Sequence, residues 1–160
     1  MKTIVVGYDG SDAAERALRR AAEVAESFSA QLVVVSVSPS ADVPALEPTA
    51  EVVLPTLAGP VAPGGTVPLP QPVSVPPEPE ELARRQLERA RMSLASRSIA
   101  SEYVVELGDP AERLLETADQ RDADLIVVGS REHGFLERLL GRPVDEAVAR
   151  RSERDVLLVH

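Results

Sequence analysis

The stretch Gln31-Leu32-Val33-Val34-Val35-Ser36-Val37 decides the fold, because it is an almost unbroken run of apolar, mostly β-branched residues. A strand with one face in water alternates apolar and polar residues, whereas this run is apolar on both faces. Strands of this kind are buried on both faces, as in a parallel sheet covered by helices. The rest of the sequence must therefore supply neighbouring strands and the helices that cover them.

Four more short apolar runs alternate with helical patterns on either side of this stretch. The further strands are predicted at residues 3–8, 102–107, 124–129 and 155–159. Between them lie patterns typical of amphipathic helices, which begin near Ser11, Pro79, Asp109 and Val144. This alternation predicts a single α/β domain with an open five-stranded parallel sheet, Rossmann-like, with helices on both faces.

A proline-rich segment at residues 38–79 interrupts this domain, which otherwise spans residues 1–160. It holds 12 of the 14 prolines, and neither a helix nor a central strand can run through so many. We expect a long surface insertion, partly in polyproline II conformation. The alternative is a binding arm that packs on a partner.

Composition excludes several classes of protein. The 160 residues carry a net charge of −9 and four aromatic side chains, so we expect no nucleic-acid partner. No apolar run approaches the about 20 residues of a membrane span, so we expect no membrane partner. The absence of Cys excludes a disulfide framework and a thiolate metal site. Because no signal-peptide pattern opens the sequence, we expect a cytoplasmic protein.

The loops at the carboxyl ends of the strands are the candidate ligand site, because open parallel sheets bind ligands there. Asp9 follows the first strand and has two interpretations: it serves a ligand, by accepting hydrogen bonds from ribose hydroxyls or coordinating a metal, or it caps the next helix. Gly108, after the third strand, favours a strand-to-helix turn, with close approach to a ligand as the alternative.

The loop at residues 129–143 combines glycines and arginines with residues that oppose phosphate binding. Its glycines can expose backbone N–H groups to an anion, but Glu132 is acidic and Pro143 has no N–H. Neither G-x-x-x-x-G-K-[ST] nor a G-x-G-x-x-G after a strand occurs. The two histidines, His133 and His160, do not suggest a metal site or a catalytic triad.

Several blocks of the sequence resemble the universal stress protein family. They include Ile4-Val5-Val6-Gly7-Tyr8-Asp9-Gly10-Ser11 and the triplet Gly108-Asp109-Pro110. The run Ala123-Asp124-Leu125-Ile126-Val127-Val128-Gly129-Ser130-Arg131 and the closing Asp155-Val156-Leu157-Leu158-Val159 are similar as well. The resemblance extends over the chain outside the proline-rich segment.

This resemblance implies a sheet of order 3-2-1-4-5 and a role in stress survival. It also implies cytoplasmic homodimers that pair through the last strand, here Asp155, Val156, Leu157, Leu158 and Val159. Some members resemble an ATP-binding type, whose loop has the pattern G-x-x-G, nine further residues and then G-[ST]. The candidate positions around a nucleotide are, by this resemblance, Asp9, Val37, Gly108, Gly129 and Ser130.

The loop departs from the ATP-binding pattern at the second glycine, which is Glu132. In an ungapped alignment the third glycine and the hydroxyl match Arg142 and Pro143; a shift of one residue recovers Gly141 but leaves Arg142 at the position of the hydroxyl. An acidic side chain with a Cβ hinders close approach of a phosphate chain. Arg131 or Arg142 can compensate by reaching a phosphate directly. ATP or AMP is therefore the candidate ligand, held by a degenerate loop.

We expect, first, a dimeric, non-catalytic regulatory or protective module with an altered nucleotide pocket. The second hypothesis is an ATP- or AMP-binding stress switch with slow ATP hydrolysis, in which Asp9 assists. The third is a protein-interaction scaffold in which the segment 38–79 docks on an unidentified protein partner.

Overall fold

A computed structural model describes residues 1–38, 78–130 and 144–160, which form the predicted alternation of strands and helices. The elements are β1 (Thr3–Gly7), α1 (Asp12–Phe28), β2 (Gln31–Ser38), α2 (Pro79–Leu94), β3 (Ser101–Leu107), α3 (Pro110–Gln120), β4 (Leu125–Gly129), α4 (Val144–Arg151) and β5 (Asp155–Val159). The two end residues of the predicted insertion, Ser38 and Pro79, belong to β2 and α2. The rest of that insertion lies outside the described residues.

The five strands form one parallel sheet in the order β3-β2-β1-β4-β5, which confirms the predicted fold and strand order. β1 lies at the centre, where Val5 pairs with Val33 of β2 on one side and with Ile126 of β4 on the other. β3 and β5 are the edge strands. Because all strands are parallel, their carboxyl ends meet along one edge of the sheet.

Helices α1 and α2 cover the first face of the sheet. Seven side chains of α1 are buried, and six of them are alanines: Ala13, Ala14, Ala17, Leu18, Ala21, Ala22 and Ala25. All of these except Ala13 belong to a core cluster with alternate strand residues such as Ile4, Val34 and Val127. Small side chains let this helix lie close to the strands, and that closeness shapes the site described below.

Helices α3 and α4 cover the second face. Leu114 and Ala118 of α3 and Val148 of α4 pack against strand residues that include Val33 and Ile126. Val33 and Val34, neighbours in β2, point to opposite faces and are both 0% exposed. Burial on both faces explains the unbroken apolar run with which this strand was identified. Among the described residues no helix has the length and apolar character that a membrane span requires.

Candidate functional site

A cleft lies where the carboxyl ends of β1, β2 and β4 meet the first turns of α3 and α4. Its described lining residues are Gly7, Tyr8, Asp9, Ser11, Ala14, Val35, Val37, Pro110, Leu114, Val128, Gly129, Val144 and Asp145. Most of these are apolar, and the charged side chains among them are two carboxylates. The cleft has the position at which open parallel sheets bind ligands.

The structure brings three of the predicted site residues together, since Asp9, Val37 and Gly129 all line this cleft. Two others, Gly108 and Ser130, are described but do not appear among its described lining residues. The remaining two, Arg131 and Arg142, lie outside the described residues. So do Glu132 and Pro143, which also depart from the ATP-binding pattern.

The hydrogen bonds in the loop after β1 distinguish between the two interpretations of Asp9. The N-cap of α1 is Ser11, whose Oγ accepts a hydrogen bond from the backbone N–H of Ala14 at 3.2 Å. Asp9 instead accepts, through Oδ1, from the backbone N–H of Ser11 at 3.0 Å. The interpretation of Asp9 as the helix cap is therefore wrong, because Asp9 lies two residues before the cap and orders the turn that leads into it. Gly10 has φ +76°, which explains the glycine between them.

Gly129, the last residue of β4, lies against the first turn of α1. A Cβ at this position would lie 2.5 Å from both the carbonyl carbon and the oxygen of Ala13, and 2.9 Å from the backbone nitrogen of Ala14. These are backbone atoms, which cannot turn aside as the end of a side chain can. The glycine is therefore required by the packing of α1 on β4, and it leaves bare main chain in the cleft wall.

Ser130 follows Gly129 and connects three elements of the site. Its backbone N–H donates to the carbonyl oxygen of Val159 in β5 at 2.8 Å. Its Oγ donates to Oδ2 of Asp145 in the first turn of α4 at 2.7 Å. The Ser130 side chain thus holds a cleft-lining carboxylate in place without lining the cleft itself.

Gly108 serves as a turn residue at the end of β3. Its φ is +132°, a conformation that favours glycine, and its N–H donates to the carbonyl oxygen of Ser38 at 2.9 Å. Asp109 caps α3 by accepting from the N–H of Glu112 at 2.9 Å, and Pro110 is the first helical residue. The turn interpretation is confirmed, and the turn places Pro110, rather than Gly108, in the cleft wall.

Tyr8 lines the cleft but its hydroxyl is engaged elsewhere. The hydroxyl donates to Oε2 of Glu15 in α1 at 2.9 Å, and Ser93 of α2 donates to the other carboxylate oxygen at 2.5 Å. Burial, and next the hydrogen bond with Glu15, raise the pKa of Tyr8 to about 12. Tyr8 is therefore a neutral phenol at physiological pH that fixes the end of β1 between α1 and α2.

Three polar side chains of the described cleft wall accept hydrogen bonds from neighbouring groups of the protein. The Ser11 hydroxyl accepts from a helix N–H, the Asp9 carboxylate accepts from a turn N–H, and the Asp145 carboxylate accepts from Ser130. Among the described residues there is no cluster of three or more His, Asp or Glu side chains that would hold a metal ion. The described part of the cleft presents carboxylate acceptors, bare main chain and apolar walls.

Sequence reasoning missed the contributions of α3 and α4 to the cleft, notably Leu114 and Asp145. Leu114 lies one turn after Pro110 in α3, and Asp145 lies in the first turn of α4. Both helices follow strands whose carboxyl ends form the ligand-binding edge, and the rule that ligands bind at this edge would have marked Leu114. For Asp145 the sequence offers no capping residue next to a turn that would have marked the start of α4.

Comparison with known proteins agrees with this architecture. A sequence model of the Universal stress protein family matches residues 1–160. Universal stress protein Rv1636 of Mycobacterium tuberculosis (strain H37Rv) is 35% identical over 160 residues, covering 99% of this chain and 96% of its own. Stress response protein NhaX of Bacillus subtilis (strain 168) is 30% identical over 162 residues, covering 98% and 96%.

A solved universal stress protein in complex with cAMP is also similar to this chain. It has a TM-score of 0.67 and 29% identity, covering 99% of this chain and 97% of its own. The fold, the family match over the whole sequence and the identity to curated relatives agree with one another. The chain therefore belongs to the Universal stress protein family.

Proposed function

We propose that this protein is a non-catalytic regulatory or protective module that binds an adenine nucleotide in the cleft at the carboxyl ends of β1, β2 and β4. The observation that carries the proposal is the convergence of Asp9, Val37 and Gly129 on this one cleft. A similar universal stress protein binds cAMP, which supports an adenine ligand. A cytoplasmic location is part of the same proposal.

The lining residues suit the two halves of a nucleoside. Val37, Val35 and Leu114 supply an apolar wall against which a planar base can pack. Asp9 supplies carboxylate oxygens, which accept hydrogen bonds from ribose hydroxyls. At Gly129 the wall is bare main chain, so a ligand can approach the backbone more closely than any Cβ would allow.

The hydrogen bonds of the polar groups support a binding role. Asp9, Ser11 and Asp145 each take part in a turn, cap or side-chain hydrogen bond. These contacts hold the groups in fixed positions, and such pre-organisation favours the binding of a ligand. Regulation would follow from which ligand occupies the cleft, since a bound ligand stabilises the folded state and orders the loops around it.

Isothermal titration calorimetry with adenosine, cAMP, AMP, ADP and ATP, each with and without Mg²⁺, tests this proposal. We expect at least one adenine compound to bind, and Asp9→Ala to weaken that binding by about tenfold through loss of a charge-assisted hydrogen bond. Asp12→Ala is the matched control, because Asp12 is an exposed acid in the first turn of α1 that does not line the cleft. Its affinity should remain within about twofold of the wild type.

Other outcomes would point to other functions. Equal losses in the two variants would mean that Asp9 acts only through overall charge. Tight, Mg²⁺-dependent binding of ATP with release of phosphate would favour the ATP-hydrolysing switch. If none of these compounds bound, the nucleotide proposal would be abandoned.

We also propose that the protein forms a homodimer through β5. This strand is an edge of the sheet, and an apolar edge strand is a template for pairing with another chain. Leu158 is 37% exposed, and both Val156 and Leu157 are half-buried. A second copy aligned along this edge would cover these side chains and continue the sheet.

A further inference from the structure

We propose that Arg154 is a positioning residue that holds the edge strand β5 in place for pairing with a second copy of the chain. This inference rests on the proposed homodimer, because it concerns the same edge of the sheet. It goes further by naming a side chain, outside the strand itself, on which the pairing depends. Two observations carry it: the contacts that Arg154 makes, and the exposed character of the strand that it precedes.

Arg154 lies one residue before β5, and its guanidinium reaches the end of α3 and the turn that follows. Its Nε donates to Oδ1 of Asp119 at 3.1 Å, and its Nη1 donates to Oδ1 of Asp122 at 3.3 Å. Nη1 also donates to the backbone carbonyl oxygen of Ala123, a residue that is 0% exposed. Three acceptors therefore surround one planar cation, whose N–H groups point in fixed directions.

The burial of Arg154 distinguishes it from an ordinary surface ion pair. Ion pairs in water contribute little, because both side chains are solvated and mobile. Only 26% of the Arg154 side chain is exposed, although the side chains of Asp119 and Asp122 are 75% and 99% exposed. The bond to the Ala123 carbonyl is charge-assisted and joins Arg154 to the main chain rather than to a mobile side chain. Arg154 is therefore held more firmly than its two exposed carboxylate partners suggest.

These contacts tie the start of β5 to the start of β4. Leu125 is the first residue of β4 and pairs with Asp155, the first residue of β5. Arg154 binds the carbonyl of Ala123, two residues before Leu125. Its own N–H donates to Oγ of Ser152 at 3.0 Å, which orders the turn from α4. The backbone of Arg154 is thus held by the turn and its side chain by the end of α3, so the position at which β5 enters the sheet is fixed.

β5 needs such support because it is an edge strand of five residues, none of which is fully buried. The carbonyl oxygen of Val159 accepts from the Ser130 N–H, so Val159 and every second residue before it bond to β4. Val156 and Leu158 therefore direct their backbone groups away from β4, toward the proposed partner. A short edge strand opens locally at a low cost in free energy, and a second copy can pair only with the ordered strand.

The test compares Arg154→Ala and Arg154→Lys with Arg121→Ala. Arg121 is the matched control, because it also lies at the end of α3 and binds an edge strand, but the opposite one. Its Nη2 lies 2.5 Å from Oε1 of Glu102 in β3. Lysine keeps the charge of Arg154 but lacks the planar arrangement of donors. Urea unfolding of each variant establishes that it is folded.

Hydrogen exchange measures how firmly β5 is held. Each variant is examined in a Leu158→Lys background, in which the proposed pairing does not itself protect the strand. We expect the amides of residues 155–159 to exchange about tenfold faster with Arg154→Ala, less so with Arg154→Lys, and within about twofold of the background with Arg121→Ala. The amides of β1 should change by less than about twofold in all of them.

Two results of this exchange experiment would overturn the proposal. Unchanged exchange of β5 in Arg154→Ala would show that Arg154 does not hold the strand. Equal acceleration of β1 and β5 would show that Arg154 supports the whole fold rather than this edge.

Sedimentation velocity, without the Leu158→Lys change, measures the pairing itself. Arg154→Ala should raise the dissociation constant of the dimer about tenfold, because the second copy must then order β5 as it binds, and Arg121→Ala should raise it by less than about twofold. A wild-type dimer whose dissociation constant is unchanged in Arg154→Ala would overturn the present inference alone. A wild type that stays monomeric would overturn the proposed homodimer, and this inference with it.

Discussion

Gly129 lies so close to Ala13 that a Cβ on Gly129 would be 2.5 Å from the carbonyl carbon and oxygen of Ala13. This contact joins the end of β4 to the first turn of α1 and explains two features of the sequence together. The buried face of α1 is built from alanines, and β4 ends in glycine, because the helix and the strand touch through their backbones. The same glycine forms part of the cleft wall, so packing and ligand binding require the same small residue.

Gly129→Ala should therefore destabilise the fold by about 3 kcal/mol, the upper end for overpacking in a rigid environment. Urea unfolding of the two proteins measures this difference. Gly7→Ala is the matched control, since a Cβ there would meet Leu114 Cδ2 at 3.4 Å, an ordinary contact with a side chain. Equal stabilities of the two variants would show that α1 can shift away from β4 at little cost.

Ser11→Ala should lower the free energy of unfolding by about 1 kcal/mol, because it removes the side-chain cap of α1. The Ala14 N–H would lose its Ser11 Oγ partner in a partly buried place. Ser27→Ala, near the other end of α1, removes an exposed hydroxyl that donates to the Glu23 carbonyl and should change stability by less than about 0.5 kcal/mol. Urea unfolding measures both differences. If Ser27→Ala lowered the free energy of unfolding as much as Ser11→Ala, the assignment of Ser11 as the cap would be wrong.

Tyr8 should make stability depend on pH in the alkaline range. Its pKa is raised from 10.0 to about 12 in the folded protein, so folding favours the protonated phenol. The stabilisation that Tyr8 contributes is fully present below pH 10, near the pKa of the phenol in the unfolded chain. It falls as the pH rises above 10 and is lost by about pH 12. Between pH 10 and pH 12 the free energy of unfolding of Tyr8→Phe should therefore fall less than that of the wild type.

Ultraviolet absorbance of tyrosinate measures this titration directly. In Tyr103→Phe, which leaves Tyr8 as the only tyrosine, we expect a midpoint near 12 while the protein stays folded. Glu15→Gln should lower that midpoint, because it removes the negative charge beside the phenol. A midpoint near 10.0 in folded Tyr103→Phe would contradict the burial of Tyr8 and its bond to Glu15.

The fold followed from local patterns because each central strand is apolar on both faces. The apolar run at Leu32–Val35 indicates burial on both faces, and the alanines of α1 indicate a helix that lies close to the sheet. Helix starts were also predictable where a capping side chain lies next to a turn, as at Asp109. Such features depend on residues that are close in the chain, so they can be predicted from a single sequence.

The cleft was less predictable because its walls come from segments far apart in the chain. The rule that loops at the carboxyl ends of strands meet indicated the edge of the sheet, and the resemblance to the universal stress protein family indicated Asp9, Val37 and Gly129. The bond between Ser130 and Asp145 joins residues 15 positions apart in the chain, and no local sequence pattern records such a contact. The role of Asp9 was also ambiguous, because an acid between a strand and a helix can bind a ligand or cap the helix, and its actual contact with the Ser11 N–H was not foreseen.

The two edge strands differ in what a charged substitution should do to the proposed dimer. Leu157 of β5 packs against the core cluster beneath α1, so changing it would disturb the monomer as well. Leu158 is 37% exposed, which makes it the better site for testing an interface. Leu107 of β3, at the opposite edge, is 54% exposed and offers a matched position.

Leu158→Lys should give monomers in light scattering at concentrations where the wild type is dimeric, because the two copies would bury like charges at the β5 edge. Leu107→Lys should remain dimeric, since it places the same charge at the edge that the proposed interface does not use. Thermal unfolding should show that both variants are folded, because each changes an exposed side chain. Dissociation by Leu107→Lys alone would place the interface at β3 instead, and a dimeric Leu158→Lys would exclude pairing through β5.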